Sequence, residues 1–286
     1  MNVLITGPTN GIGRETALAM AREGHRLFLL CRNEALGREL CSDIQALGTA
    51  PEAQLLIADL ADMQQVHAAA ERFLALEQPL HQLINNAGIV NTRRVPVQVG
   101  TTELEQVFTV NHLGHFLLTW LLLPRLIATS HAEGRPTRLI IVSSEAHALF
   151  CKGLDFDDLA RQQRFRTFGV YGQSKLANLL MMNELIQRID ACELTVCAAH
   201  PGPVNTNLGT QNEPHWYSRP LKAALTPFFL SPAQGAQTTL YLSSAATVQH
   251  GGYYANSKPK RLKPVSYTHL RAHETAYTIA YAVLCL

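Results

Sequence analysis

The chain has 286 residues, 47% of them hydrophobic, and a formal net charge of +2. So small and scattered a positive excess excludes nucleic acid or an anionic membrane as the main partner. The length is large for a single core, yet doubly wound sheets reach it as one unit, and no internal repeat or low-complexity linker divides the chain.

In chain order, Asn2-Val3-Leu4-Ile5 is a short apolar run that reads as a buried strand. It leads into Thr6-Gly7-Pro8-Thr9-Asn10-Gly11-Ile12-Gly13, after which Arg14 to Ala21 reads as a helix. Strand, glycine-rich turn and helix together point backbone N–H groups and the positive helix end at a phosphate. Glycine is needed where such a chain turns tightly and where a pyrophosphate approaches the backbone. Further strands are predicted near 26–31, 54–58, 81–85, 138–143, 194–199 and 252–255, and helices near 12–23, 33–47, 62–77, 102–129, 168–189 and 233–243. This alternation predicts one doubly wound α/β domain of Rossmann type over residues 1–264. Its sheet should be mainly parallel and seven-stranded, flanked by helices, with a cofactor across the carboxyl edge of the strands.

The first apolar run is too short for a signal core, and the stretch Phe116 to Leu123 is interrupted by Thr119 and ends at Pro124, short of a membrane span. The expectation is a cytoplasmic protein without a membrane anchor. Six cysteines show no Cys-x-x-Cys spacing and read as reduced, mostly buried thiols. His112 with His115, and His269 with His273, lack a third ligand at convincing spacing, so no metal is assigned.

Chemistry concentrates at Tyr171 and Lys175, four residues apart and hence on one face of a helix. A phenol is a poor acid near neutral pH, and a neighbouring ammonium favours its phenolate. The pair reads as a proton donor and its tuner.

Several further segments stand in a fixed order with this pair. They are Asn85-Asn86-Ala87-Gly88 after Leu83-Ile84, Asn111 within Thr109 to Phe116, Ile140-Ile141-Val142-Ser143-Ser144, and His200-Pro201-Gly202-Pro203-Val204-Asn205-Thr206. In these motifs and their order the chain resembles the short-chain dehydrogenase/reductase family, over roughly residues 2 to 257. Cys31-Arg32, Asn111-His112-Leu113-Gly114-His115-Phe116 and Ser174-Lys175-Leu176-Ala177-Asn178 are most similar to its retinol-dehydrogenase-like branch.

The resemblance implies an oxidoreductase that interconverts a hydrophobic aldehyde or ketone and its alcohol by hydride transfer. Tyr171 would be the general acid or base, and Lys175 would depress its pKa and bind the nicotinamide ribose. Ser144, rather than Ser143, would hydrogen-bond the substrate oxygen, and Asn111 would hold a water linking Lys175 to solvent. Cofactor contacts are implied for Gly7, Thr9, Asn10, Gly11, Ile12 and Gly13, for Asp59 and Leu60 at the adenine, and for Asn86, Ala87 and Gly88. Pro201, Gly202, Val204 and Thr206 would lie near the carboxamide and phosphates.

At the end of the second strand, where an acidic residue would take the adenine ribose hydroxyls, stand Cys31 and Arg32. Arg32 and Arg14 together suit a 2′-phosphate, so NADP(H) is expected over NAD(H). An NAD-preferring dehydrogenase of the same fold and a catalytically idle NADP-binding regulator are the alternatives, and a homodimer is left open. Asn207 to Ser231, with Trp216, Tyr217, Phe228 and Phe229, is long for a connection and is expected to recognise the substrate as a lid. Residues 265–286 depart from the family pattern and are expected to lie outside the fold, as a shifted reading frame or foreign junction after about Pro264 would produce.

Overall fold

The computed structural model describes residues 1–204 and 229–262. Predicted Thr206, most of the proposed lid and the atypical tail therefore lie outside the described residues. Alternation of strand and helix is as the sequence implies: β1 (Asn2–Thr6), α1 (Gly11–Arg22), β2 (Arg26–Cys31), α2 (Glu34–Leu47), β3 (Gln54–Ile57), α3 (Met63–Leu74) and β4 (Gln82–Asn85). A hairpin follows, β5 (Pro96–Val99) with β6 (Thr102–Glu105), and then a long helical stretch. That stretch comprises α4 (Gln106–Phe108), one π-helical turn (Thr109–Leu113) and α5 (Gly114–Glu133). The remainder is β7 (Thr137–Val142), α6 (Ala146–Leu149), α7 (Thr167–Arg188), β8 (Leu194–His200), α8 (Pro232–Ser244), β9 (Gly252–Ala255) and β10 (Lys258–Pro259).

The main sheet runs β10-β9-β8-β7-β4-β1-β2-β3, parallel except for β10. It has eight strands rather than the expected seven, because the chain turns back after Ala255 through Asn256 and Ser257, both at positive φ, and adds a two-residue antiparallel edge. Successive residues of each central strand enter opposite layers. Leu4, Phe28, Leu83 and Leu139 pack against α3, α5 and α7, whereas Val3, Leu29, Ile84 and Ile140 pack against α1, α2 and α8. Burial on both faces explains why these strands read as unbroken apolar runs without alternation.

The helix predicted from residue 102 starts instead at Gln106. Thr102-Glu103-Leu104-Glu105 pairs with Pro96–Val99, and Gly100 supplies the left-handed turn at φ 57°. Glu105 then caps the helix, its carboxylate accepting from the Val107 and Phe108 N–H groups at 2.7 and 3.2 Å. Cross-strand pairing has overridden a helix-like local sequence. A second difference concerns length. Gln106–Glu133 is long and apolar enough to cross a membrane, contrary to the sequence reading, although 56% of its most apolar window is buried in the protein.

Helix α5 approaches β3's exit so closely that a Cβ on Gly114 would lie 2.3 Å from the Leu60 carbonyl oxygen. Backbone cannot yield there as a flexible side chain would. Gly114→Ala is expected to lower unfolding stability by about 1–3 kcal/mol. Gly169→Ala, whose Cβ would meet nothing nearer than 3.4 Å, should change it by less than about 0.5 kcal/mol, both measured by urea denaturation.

Candidate active site

The carboxyl ends of β1, β2, β4 and β7 surround a cavity of about 320 Å³. Its floor is the turn between β1 and α1. Gly7 and Gly11 sit at φ 62° and 53°, and the Asn10 side chain caps α1 by accepting from the Gly11 N–H at 2.7 Å. A Cβ on Gly13 would fall 2.2 Å from the Gly7 carbonyl oxygen and 2.5 Å from Asn86 Nδ2. Asn86 in turn donates to the Thr6 and Gly7 carbonyls at 2.8 and 3.2 Å, stitching the β4 turn to the β1 turn. Glycine is thus required by packing, and the resulting cradle opens on the N-terminus of α1, the arrangement that accepts phosphate.

Of the residues singled out from the sequence, the cavity wall contains Gly7, Thr9, Asn10, Gly11, Ile12 and Gly13, with Arg32, Asp59 and Leu60 beyond them. Asn86, Ala87 and Gly88 form another side, and Tyr171, Lys175 and Pro201 close it. Arg14 is not in the wall. Its guanidinium, on α1, pairs with Asp43 of α2 at 2.6 Å, both side chains being partly exposed. Gly202 (φ 82°) and Val204, which bridges to Leu230, also lie off the wall. The wall further includes Leu36, Ile89, Val110 and Val142. They are apolar residues of α2, of the turn after β4, of the π-helical turn and of the end of β7, with no chemistry of their own to mark them in the sequence.

Of the four residues expected to share the chemistry, Tyr171 and Lys175 line the cavity, whereas Ser144 and Asn111 stand next to them behind its wall and Ser143 is the serine that lines it. Tyr171 and Lys175 project from α7, with Lys175 Nζ 5.6 Å from the centre of the Tyr171 ring. Ser144, just past β7, neighbours the Tyr171 phenol and acts to lower its pKa, while its hydroxyl accepts from the Ala146 N–H at 3.2 Å and the Ser143 hydroxyl donates to the Lys175 carbonyl at 3.1 Å. Ser144 is held by its neighbours: His147 donates to its carbonyl at 2.6 Å, and Glu145 accepts from the Tyr253 hydroxyl and pairs with Lys260, at 3.1 and 3.0 Å. Asn111 sits in the π-helical turn, fully buried. Its amide accepts from the Ile89 N–H at 2.8 Å and donates to the Ile89 carbonyl at 3.0 Å and to Ser174 at 3.1 Å. A Cβ on Gly88 would sit 3.5 Å from Lys175 Nζ and 3.6 Å from Asn111 Oδ1, so that glycine leaves space beside both.

Burial pushes the Tyr171 phenol up to about 12, and the neighbouring Ser144 side chain works the other way. The Lys175 ammonium donates to the Val142 carbonyl at 3.0 Å and is itself drawn by burial down to about 8. At neutral pH the phenol carries its proton.

The family model for short chain dehydrogenases matches residues 1–153. Mouse retinol dehydrogenase 12 is 41% identical over 260 residues, which cover 90% of this chain and 78% of the mouse protein. Mouse retinol dehydrogenase 14 is 38% identical over 279 residues, covering 92% and 79%. The chain belongs to the short-chain dehydrogenase/reductase family. Within that family it is retinol-dehydrogenase-like, and it is an oxidoreductase of CH–OH or carbonyl groups with a nicotinamide cofactor and a small-molecule substrate. Among solved structures, an uncharacterized protein of Mycobacterium paratuberculosis superposes with a TM-score of 0.74 at 27% identity, over 99% of this chain and 93% of that one. The family's doubly wound sheet is therefore the fold of this dehydrogenase.

The lysine yields a prediction with a definite sign. A folded-state pKa of about 8 against an ordinary 10.5 means that the unfolded chain holds more protons between those values, so stability gains as pH rises through that interval. Tyr171, raised from 10.0 to about 12, acts oppositely above pH 10, and Cys31 and Cys197, raised from 9.0 to about 11 and about 12, do so above pH 9, which leaves pH 8–9 as the window. Lys175→Met should flatten the rise across that window, checked by comparing urea midpoints with wild type.

Proposed function

We propose that this enzyme uses NADP(H) to interconvert a hydrophobic aldehyde or ketone and its alcohol, with Tyr171 as the general acid or base. The observation that carries the reading is the pairing of Tyr171 with Lys175, Nζ 5.6 Å from the ring centre, in the cavity wall beside Gly88. The residues fit a dinucleotide. The glycine cradle and α1 terminus would hold the pyrophosphate, and the space beside Gly88 would admit a nicotinamide ribose against Lys175 and Asn111. When bound, the cofactor supplies or accepts the hydride.

The protein's own work is placement and proton handling. Ser144 would donate to the substrate oxygen and hold it against the phenol, stabilising charge as it builds there. Tyr171 Oη, protonated at neutral pH, would deliver its proton to that oxygen during carbonyl reduction. Oxidation of an alcohol would use the phenolate as the base in the reverse step. Lys175 and Asn111 would return the proton from solvent, Asn111 being fixed by both polar groups of Ile89.

Preference for NADP(H) rests on Arg32 in the cavity wall and on the absence of a carboxylate at Cys31. Arg14 pairs with Asp43, and Arg32 is the guanidinium in the cavity wall. Apolar aromatics between 207 and 231 support a lipophilic substrate, since that segment is long and follows the Pro201-Gly202 turn. We also propose a cytoplasmic location.

Tyr171→Phe should lower kcat for an aldehyde substrate about 10²–10⁴-fold while changing NADPH Kd less than about threefold. Nicotinamide absorbance across a panel of aldehydes and ketones, with fluorescence titration of NADPH, provides the measurement. Equal turnover by wild type and mutant would favour the idle-regulator alternative. Arg32→Asp should cut the NADPH-to-NADH preference about tenfold or more, and an unchanged ratio would place the determinant elsewhere.

A further inference from the structure

We propose that His115 is a positioning residue, locking together the β1 turn, the β4 turn and the π-helical turn that carries Asn111. The inference rests on the reading that a dinucleotide occupies the cavity these turns enclose. His115 is 1% exposed, and its ring bridges two groups that are fully buried. Nε2 lies 2.8 Å from the Thr6 hydroxyl, and Nδ1 lies 3.0 Å from the Asn111 carbonyl.

The chemistry of these partners fixes where every proton sits. A carbonyl only accepts, so Nδ1 carries the hydrogen and donates to Asn111. In a neutral imidazole Nε2 is then an acceptor, and the Thr6 hydroxyl donates to it. With its proton so committed, Thr6 Oγ1 has its lone pairs available for two backbone donors. Both are present: the Asn86 and Ala87 N–H groups each reach it at 2.9 Å. The competing acceptor for the Thr6 proton, the Ile84 carbonyl, is 3.4 Å away. Burial pulls His115 down to about 3, with Lys175 and His112 adding to the same effect, so the ring stays neutral as the pattern requires.

The Asn111 carbonyl receives a second donor, Asn178 Nδ2 at 3.0 Å, and the Asn178 side-chain oxygen accepts from His112 Nδ1 at 3.0 Å. One imidazole thereby ties β1 and the Asn86-Ala87 turn to the element that presents Asn111. A histidine that merely filled the core would not need two directed bonds to backbone-organising groups. Leu118 and Leu122 fill the same helix's core-facing side without any.

The test uses His115→Phe, which keeps ring volume but loses both bonds, and His115→Gln, whose amide can donate and accept. Thr6→Val removes the hydroxyl from the other side. His115→Phe should weaken NADPH binding about tenfold and lower kcat, and His115→Gln should return both to within about threefold of wild type. Thr6→Val, which also strips the acceptor from the Asn86 and Ala87 N–H groups, should cost at least as much as His115→Phe, and the double mutant should be no worse than Thr6→Val alone, as coupled residues require. Amide hydrogen exchange at Asn86 and Ala87 without added nucleotide reads the link independently of catalysis, and it should accelerate in both single mutants. Unchanged exchange in His115→Phe, or losses that multiply in the double mutant, would overturn the role assigned to His115. Failure of wild type to bind either NADPH or NADH would instead defeat the cofactor reading. If His115→Phe does not fold, the comparison of His115→Gln with Thr6→Val carries the same exchange test.

Discussion

The site depends on how closely two backbone turns approach each other at the carboxyl edge of a parallel sheet. Gly13 has no side chain, so α1 can press against the Gly7 carbonyl and the Asn86 amide. Neighbouring parallel strands β1 and β4 bring those turns to the same edge in register, with Ile5 opposite Ile84. Any larger residue at the contact would separate them, and the cradle over the α1 terminus would lose its shape. The catalytic end inherits its position from the same frame, because β7 pairs with β4 and delivers Ser144 beside α7.

Desolvation dominates the charges at that end. Tyr171 and Lys175 are both driven toward their neutral forms, the phenol upward and the amine downward. A pair in this condition does not behave as a simple ion pair, and the amine is held instead by the Val142 carbonyl. The resting arrangement is that of a loaded acid. Charge arriving beside it would shift both groups, so the proton balance belongs to the complex and not to the protein alone.

Much of this was legible in the sequence, for identifiable reasons. Central strands buried on both faces leave apolar runs that are hard to mistake, and the glycine turn between β1 and α1 has a spacing that only a few structures need. Tyr171 and Lys175 were legible because four-residue spacing on a helix has one geometric meaning. What stayed hidden depends on partners distant in sequence. Arg14 was assigned to the pocket, yet Asp43, 29 residues later, draws it off. Thr102–Glu105 looked helical until its pairing with Pro96–Val99 was known. His115 gave no sign of its bond to Thr6, which lies 109 residues away.

The widened turn at Thr109–Leu113 has a consequence for how this helix could change over time. An extra residue in one turn advances everything after it by about 100° around the axis. The apolar stripes of α4 and α5 meet the core only because that offset is present. Removing a single amino acid from this stretch would give a more regular coil, yet it would rotate Leu118 and Leu122 out of the interior or swing Asn111 away from Ile89. The stretch should therefore resist any shift in its count, even by one residue.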